Sequence, residues 1–253
     1  MVSITTLQDL SDKNGIDKYS ILREIIQIQF LEEIYRTQES KNLFFKGGTA
    51  LKIIFGSNRY SEDLDFTTDL SLKEIDTIIN VAIYELRKEY PNITIKNIDT
   101  LQGVSKKILL STEISSQPLS IKLDFSQREN VISPKLGTIF TNLPVSTSSV
   151  IKHLSDEEIL AEKYRAILNR IKGRDLYDFL FLFKKGVNFN VELIKEKLKF
   201  YSEKYDLNKF VERIKNWNEK ELDDDVRRFL PLKDRQIIPE IKNLILQKIT
   251  HYI

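Results

Sequence analysis

The chain of 253 residues has no cysteine and only two histidines, His153 and His251. Without cysteine it can form neither a disulfide nor a thiolate metal site, a composition that fits a reducing cytosol. Two isolated histidines supply neither a histidine metal cluster nor a catalytic triad. The candidate ligands are therefore side chains that carry oxygen.

The sequence also lacks any apolar run as long as a membrane span, and its first ten residues lack the basic and apolar regions of a signal peptide. We therefore expect a cytoplasmic protein with no membrane partner. Apolar residues make up 41% of the chain, which is enough for one large or two modest domains with their own cores.

A large excess of charge of one sign is absent too, since the net charge is only +2. Residues 1–150 carry 17 basic and 19 acidic residues, whereas residues 151–253 carry 22 and 18. Seven basic and two acidic residues fall within residues 163–185, which we call the basic strip. Such a strip attracts phosphates, although a run of this kind is often only a solvated helix face.

Residues 43–55 predict a short strand, a glycine turn and a short helix. The apolar run at residues 43–45 stops at Gly47 and Gly48, and residues 49–55 contain enough helix formers for a brief helix. Adjacent glycines let the backbone approach a ligand, and the start of a helix offers unpaired N–H groups to an anion. A triphosphate would fit at this turn.

Two carboxylates follow within a predicted strand. Tyr60, Leu64 and Phe66 alternate with polar residues, so Asp63 and Asp65 would share one face. Carboxylates held this close repel each other unless a cation lies between them, and oxygen ligands favour Mg²⁺ bridged to substrate phosphates. Taken separately, the glycines could form an ordinary turn and the acidic pair a solvated strand edge.

Taken together, the two motifs resemble the signature of the AbiE-type (AbiEii/AbiGii) abortive-infection nucleotidyltransferases, the toxins of type IV toxin–antitoxin pairs. The matching residues are Lys46, Gly47, Gly48, Thr49, Ala50 and Leu51, followed by Arg59, Tyr60, Ser61, Glu62, Asp63, Leu64, Asp65 and Phe66. The family belongs to the DNA polymerase β-like superfamily. The resemblance implies transfer of a nucleoside monophosphate (NMP) from a nucleoside triphosphate (NTP) to RNA, often to the tRNA 3′ end. It also implies a cognate antitoxin as partner.

The apolar pattern predicts an α/β (α+β) fold. Helical spacing is expected over residues 16–38 and 70–90, and strands over 93–98, 104–114 and 119–125, which together suggest a mixed sheet with helices on one side. Residues 128–150 are rich in Ser, Thr, Pro and Gly and are interpreted as a connection. We expect a polymerase β-like catalytic domain at residues 1–145 and a helical domain at 146–253.

The strand at residues 119–125 contains a third candidate carboxylate. Ile121, Leu123 and Phe125 alternate with polar residues, which places Asp124 on the polar face. Polymerase β-like transferases need such a residue on a neighbouring strand, where it would draw the proton from an attacking hydroxyl. Asp99 is the alternative, but it adjoins a turn.

The helical domain contains a second motif. Ser155 and Glu158 form a capping box that starts a helix in which Lys163 lies within the apolar stripe. A buried ammonium must reach solvent or meet an anion, so Lys163 could pair structurally with Asp178 or bind nucleotide phosphates. Residues 157–168 with Arg170 and residues 174–178 resemble the family's distal block, in which this lysine and an aspartate are active-site residues. Asp178 is preferred to Asp175.

These motifs, with the resemblance, predict a Mg²⁺-dependent nucleotidyltransferase with the helical domain contributing to the site. Catalytic roles are expected for Asp63, Asp65, Asp124, Lys163 and Asp178, metal binding for Asp63, Asp65 and Asp124, and nucleotide binding for Lys46, Gly47, Gly48, Thr49, Arg59 and Ser61. The alternatives are modification of a small molecule or protein, or an inactive nucleotide-binding module. A small-molecule enzyme of the antibiotic-modifying kind would need an acidic pocket for a cationic acceptor, and the basic strip disfavours this.

Overall fold

The computed structural model describes residues 2–100 and 103–252 and divides the chain into two compact units, residues 1–154 and 155–253. The first unit combines helices with one seven-stranded sheet. Its elements are α1 (Ile4–Asn14), α2 (Lys18–Tyr35), a 3₁₀ helix (Glu39–Asn42), β1 (Leu43–Lys46), α3 (Gly47–Ile53), β2 (Leu64–Thr68), α4 (Leu72–Glu89), β3 (Ile93–Ile98), β4 (Val104–Thr112), β5 (Ser115–Ser126), β6 (Pro134–Thr138) and β7 (Val150–Leu154).

The sheet is mixed, with the strand order β3-β4-β5-β2-β1-β7-β6. β1 pairs antiparallel with β2 and parallel with β7, whereas β2 pairs parallel with β5. The predicted α/β class and mixed sheet are therefore confirmed.

Three aromatic rings form the centre of the core of this unit. Phe66 stacks on Phe125 with ring centroids 5.1 Å apart, and Phe45 lies 5.4 Å from Phe66 on the other side. All three side chains are fully buried. Because successive residues of a strand point to opposite faces, this buried row turns the neighbouring positions of β1, β2 and β5 to the other face of the sheet.

Most of the predicted elements occur, with altered ends. The helix predicted over residues 70–90 is α4, which starts at a capping box between Ser71 and Glu74. The strand predicted at 93–98 is β3, but β5 begins at Ser115, earlier than expected. The helix predicted over residues 16–38 is α2, and α1 precedes it.

The expected connection at residues 128–150 differs from the structure, because β6 lies within it and β7 begins at its end. The carboxylate of Glu32 accepts hydrogen bonds from the backbone N–H groups of Ser148 and Ser149, at 3.1 to 3.2 Å. These bonds fix the chain directly before β7. The first unit ends at residue 154, whereas the sequence predicted that the first domain ends at residue 145.

The second unit is helical. It consists of α5 (Asp156–Asn169), α6 (Gly173–Lys184), α7 (Val191–Lys199), α8 (Leu207–Lys215), α9 (Glu219–Arg227), a 3₁₀ helix (Leu232–Glu240), α10 (Ile241–Ile249) and a last 3₁₀ turn (Thr250–Tyr252). Aromatic contacts join three of its helices: the ring centroid of Phe210 lies 4.3 Å from that of Tyr164, on which it stacks, and 5.2 Å from that of Phe179, to which it is tilted. Throughout the described residues, no helix has the length and apolarity needed to cross a bilayer.

Candidate active site

A row of polar residues crosses four neighbouring strands of the sheet. Lys46 of β1 lies opposite Asp65 of β2, and Asp65 lies opposite Asp124 of β5. Asp124 in turn lies opposite Ser105 of β4. The row is next to the buried Phe45–Phe66–Phe125 row and therefore lies on the other face. Residues that are distant in the sequence are thus brought together, and Asp124, not Asp99, is the neighbour of Asp65.

Two side chains fix the carboxylate of Asp124. Ser105 donates a hydrogen bond to Oδ1 at 2.6 Å, and the Lys122 ammonium donates one to Oδ2 at 2.7 Å. Burial raises the pKa of Asp124, but these two donors outweigh it, so the pKa lies below its ordinary value. Asp124 is therefore ionised at neutral pH and can accept a hydrogen bond or contact a cation.

Lys122 was not identified as a site residue in the sequence. Burial lowers the pKa of its ammonium, but Asp124, Asp63 and Asp65 together raise it above the ordinary value. All three candidate carboxylates therefore act on this one cation. Lys122 lies two positions before Asp124 on β5, so strand alternation was the signal that could have placed it on this face.

The two glycines that were predicted to form a turn are the first two residues of α3, which follows β1 directly, and we keep the name glycine turn for them. Gly47 has a φ of +77° and faces the Asp65 carboxylate so closely that a Cβ atom would collide with it. A Cβ atom on Gly48 would meet the Arg59 guanidinium and would lie 3.0 Å from the Ser61 hydroxyl oxygen. The left-handed backbone at Gly47 favours glycine, and a Cβ atom at either position would displace the side chain that faces it.

The other candidate nucleotide-binding residues have contacts within the first unit. Lys46 forms an ion pair with Glu129 at 2.5 Å, with side chains 11% and 2% exposed. The Thr49 hydroxyl donates a hydrogen bond to the Asp63 carbonyl oxygen. The buried Arg59 donates from Nη1 to the Tyr60 carbonyl oxygen at 2.8 Å. Glu129, which follows β5, was not predicted as a site residue, because its partner Lys46 lies on β1.

The carboxylates fit a metal ion that completes its shell with substrate oxygens. Among the residues that the structure describes, no group of three or more His, Cys, Asp or Glu side chains is arranged to hold a metal. Mg²⁺ is usually bound by one or two carboxylates together with waters and substrate phosphates, so a complete protein cage is not expected. Asp65 and Asp124, adjacent in register, supply ligands of this type.

In the second unit, Lys163 lies between two carboxylates. Its ammonium is 2.8 Å from Asp175 Oδ1 and 2.7 Å from Asp178 Oδ2, and both aspartates are buried. Arg170 binds Asp175 with two hydrogen bonds, of 2.7 and 2.9 Å. The structural alternative considered for Lys163, an ion pair with Asp178, is thus present, and Asp175 is a second partner.

Charges in this cluster balance, with two cations facing two anions. Burial raises the pKa of Asp175, but Lys163 and Arg170 outweigh it and hold the pKa far below its ordinary value. Asp175 therefore stays ionised. Lys163 of α5 is the counter-ion of two carboxylates of α6, so its charge contributes to the packing of these two helices.

We expect Lys163→Met to destabilise the protein by about 3–5 kcal/mol, because it leaves buried carboxylates without their shared counter-ion. The double variant Lys163→Met/Asp178→Asn should recover part of this loss, since one stranded charge is also removed. Urea unfolding measures both effects.

Lys195→Met serves as the control, because Lys195 pairs with Glu192 while 45% of its own side chain is exposed. This change should shift the free energy of unfolding by less than about 1 kcal/mol. Equal unfolding midpoints for the Lys163 and Lys195 variants would contradict the structural role of Lys163.

Comparison with solved structures supports the fold. The chain is similar to MenT4, a nucleotidyltransferase toxin from Mycobacterium tuberculosis H37Rv, with 16% identity and a TM-score of 0.59 over 97% of this chain and 99% of that one. It is also similar to JHP933 from Helicobacter pylori, with 21% identity and a TM-score of 0.53 over 94% and 96% of the two chains. At such low identity these likenesses concern the fold alone.

A search of curated proteins found no match. A model of the family described as "Nucleotidyl transferase AbiEii toxin, Type IV TA system" matches residues 29–241, which is most of the chain and includes both motifs. The chain therefore belongs to the AbiEii family of nucleotidyltransferase toxins from type IV toxin–antitoxin systems.

Proposed function

We propose that this nucleotidyltransferase transfers an NMP from an NTP to RNA, with the tRNA 3′ acceptor end as the target. Translation would then be blocked in the cytoplasm, as in abortive infection, and a cognate antitoxin would neutralise the toxin. The observation that carries the proposal is the register of β1, β2 and β5, which sets Asp65 beside Asp124 and next to the Gly47 turn.

Donor binding is assigned to the glycine turn and its neighbours. We infer that the turn receives the triphosphate, because Gly47 lies directly against the Asp65 carboxylate, where a bound metal ion would contact the phosphates. The nucleotide-binding residues are Lys46, Gly47, Gly48, Thr49, Arg59 and Ser61. Arg59 supplies positive charge beside Gly48, whereas the charge of Lys46 is paired with Glu129.

The chemistry needs no protein nucleophile. A hydroxyl of the acceptor forms a bond to the α-phosphorus, the bond to the β-phosphate breaks, and pyrophosphate leaves. Asp63, Asp65 and Asp124 would hold Mg²⁺, which when bound orients the phosphates and neutralises their charge. As an ionised carboxylate, Asp124 can accept the hydrogen bond of the acceptor hydroxyl and then its proton.

Lys163 is assigned to the charge on the transferred or departing phosphate, with Asp178 orienting it. This assignment rests on the resemblance of both residues to the distal block of the family. The first experiment incubates the purified protein with total RNA and each labelled NTP in turn, which identifies both the NTP that is used and the RNA that is labelled.

Replacing Asp65 with Ala should reduce metal-dependent transfer at least about a hundredfold, because the side chain would hold the metal ion that neutralises charge at the phosphates. The fold should persist, since the change removes one of several mutually repelling carboxylates. The assay is labelling of RNA, together with a thermal unfolding curve.

Asp69→Ala is the matched control, because Asp69 is an exposed carboxylate just after the same strand. Near wild-type labelling by folded Asp65→Ala protein would show that Asp65 has no metal-binding role. Labelling of a protein or small molecule in place of RNA would refute the proposed acceptor.

Two glycines of the first unit share a backbone conformation but differ in what surrounds them. Gly47 and Gly56 have φ values of +77° and +78°, but a Cβ atom would meet the Asp65 carboxylate at Gly47 and no atom within 4 Å at Gly56. Both alanine variants should lose about 1–2 kcal/mol through the left-handed backbone. Only Gly47→Ala displaces Asp65, so only this variant should lose transfer, by about a hundredfold.

Thermal unfolding and RNA labelling on the same preparations separate strain from the loss of function. If the two variants label RNA equally well, close contact between Gly47 and Asp65 does not matter for transfer.

The role of Lys163 is tested by the single-turnover rate. Lys163→Met should lower the rate per folded molecule about a hundredfold, which corresponds to about 3 kcal/mol. The partly restabilised Lys163→Met/Asp178→Asn variant should remain as slow. An unchanged rate in either folded variant would leave Lys163 with its structural role only.

A further inference from the structure

Three lysines lie in register on adjacent strands of the sheet. Lys96 of β3 is opposite Lys107 of β4, and Lys107 is opposite Lys122 of β5. We call these three residues the lysine row. Neighbouring strands are about 4.8 Å apart, so the row extends about 10 Å across the sheet.

The lysine row lies on the face of the sheet that carries the carboxylates. Lys122 is two residues from Asp124, and Lys107 is two residues from Ser105, so all four share one face. This face is accessible, since Lys96 is exposed and the Lys122 side chain is 35% exposed. The next positions on the strands point to the opposite face, where Ile108 and Ile121 are fully buried.

Such a row is unfavourable for folding by itself. Like charges directly opposite each other on adjacent strands destabilise a sheet. Asp124 offsets the charge of Lys122 at 2.7 Å. Within residues 2–100 and 103–252, neither Lys96 nor Lys107 forms an ion pair, so their mutual repulsion is not offset there. An anionic ligand would supply the missing counter-charge.

The position of the lysine row in the sheet indicates which anion it could bind. Along the sheet order, β4 and β3 lie on one side of the carboxylate-bearing strands β5 and β2, and β1 with the Gly47 turn lies on the other. A triphosphate at the turn would therefore approach the carboxylates from the β1 side. The second substrate, the acceptor, would then approach from the side of the lysine row, which ends at the edge strand β3.

We propose that the lysine row binds the phosphate backbone of the RNA acceptor and guides its reactive end to Asp124. The proposal rests on the proposed function, because it takes RNA as the acceptor. Lysine is a flexible point charge, so the row positions a backbone and does not read bases. Binding should accordingly depend on salt and little on sequence.

The test compares two charge-matched double variants of the full chain. Lys96→Gln/Lys107→Gln removes two charges from the row and leaves Lys122, which contacts Asp124, in place. The control Lys73→Gln/Lys135→Gln removes two exposed lysines from α4 and β6. Binding of fluorescently labelled bulk tRNA is followed by anisotropy over a range of salt concentrations. The dissociation constant of the NTP and the unfolding temperature are measured on the same preparations.

The row variant should bind tRNA about tenfold more weakly at low salt, and the slope of log K against log salt should fall by about 0.7 to 0.9 per lysine removed. Its affinity for the NTP, its unfolding temperature and its rate at saturating RNA should match those of the control variant. A higher KM for RNA at unchanged kcat separates binding from chemistry.

Equal tRNA affinity and salt slope in the two double variants would overturn the proposal. Weaker NTP binding with unchanged tRNA binding would overturn it too, by assigning the row to the donor. If the wild type binds tRNA through the row but labels a different acceptor, the proposed function fails while the row's affinity for RNA stands.

Discussion

The pairing register of β2 with β5 is the constraint on which the candidate active site depends. It aligns Phe66 with Phe125 on one face and Asp65 with Asp124 on the other. A slip of one residue would expose the rings and bury the carboxylates, so the stacked aromatic core holds the register. The position of the reactive groups is therefore fixed from the opposite face of the sheet.

Once the register is set, the charges need compensation. Three carboxylates in the first unit act on the ammonium of Lys122, and Ser105 adds a neutral donor to Asp124. The cluster in the second unit is different, because Lys163 and Arg170 balance two buried aspartates. The first arrangement places three carboxylates around one ammonium, whereas the second pairs two cations with two buried carboxylates, so loss of a charge from the second should affect folding.

Local sequence patterns predicted what local interactions determine. Residues 93–98 alternate and form β3, and Asp65 lies in β2 as expected, whereas Asp63, which was expected in the same strand, directly precedes it. Contacts between distant parts of the chain could not be predicted from local sequence patterns. Residues 128–150 look like a linker by composition, but the buried carboxylate of Glu32, more than 100 residues earlier, accepts hydrogen bonds from Ser148 and Ser149. Glu129 was not predicted as a site residue, because its partner, Lys46, lies 83 residues away in the sequence.

The same distinction applies to the two proposed substrates. The donor side is built from neighbouring residues of the chain, since the Gly47 turn and Asp65 belong to one continuous stretch, and a motif could reveal it. The acceptor side is built from Lys96, Lys107 and Lys122, which become neighbours only when β3, β4 and β5 pair in register. Each of these lysines looks like an ordinary solvated residue in the sequence. Only their alignment produces the repulsion that an RNA backbone would relieve.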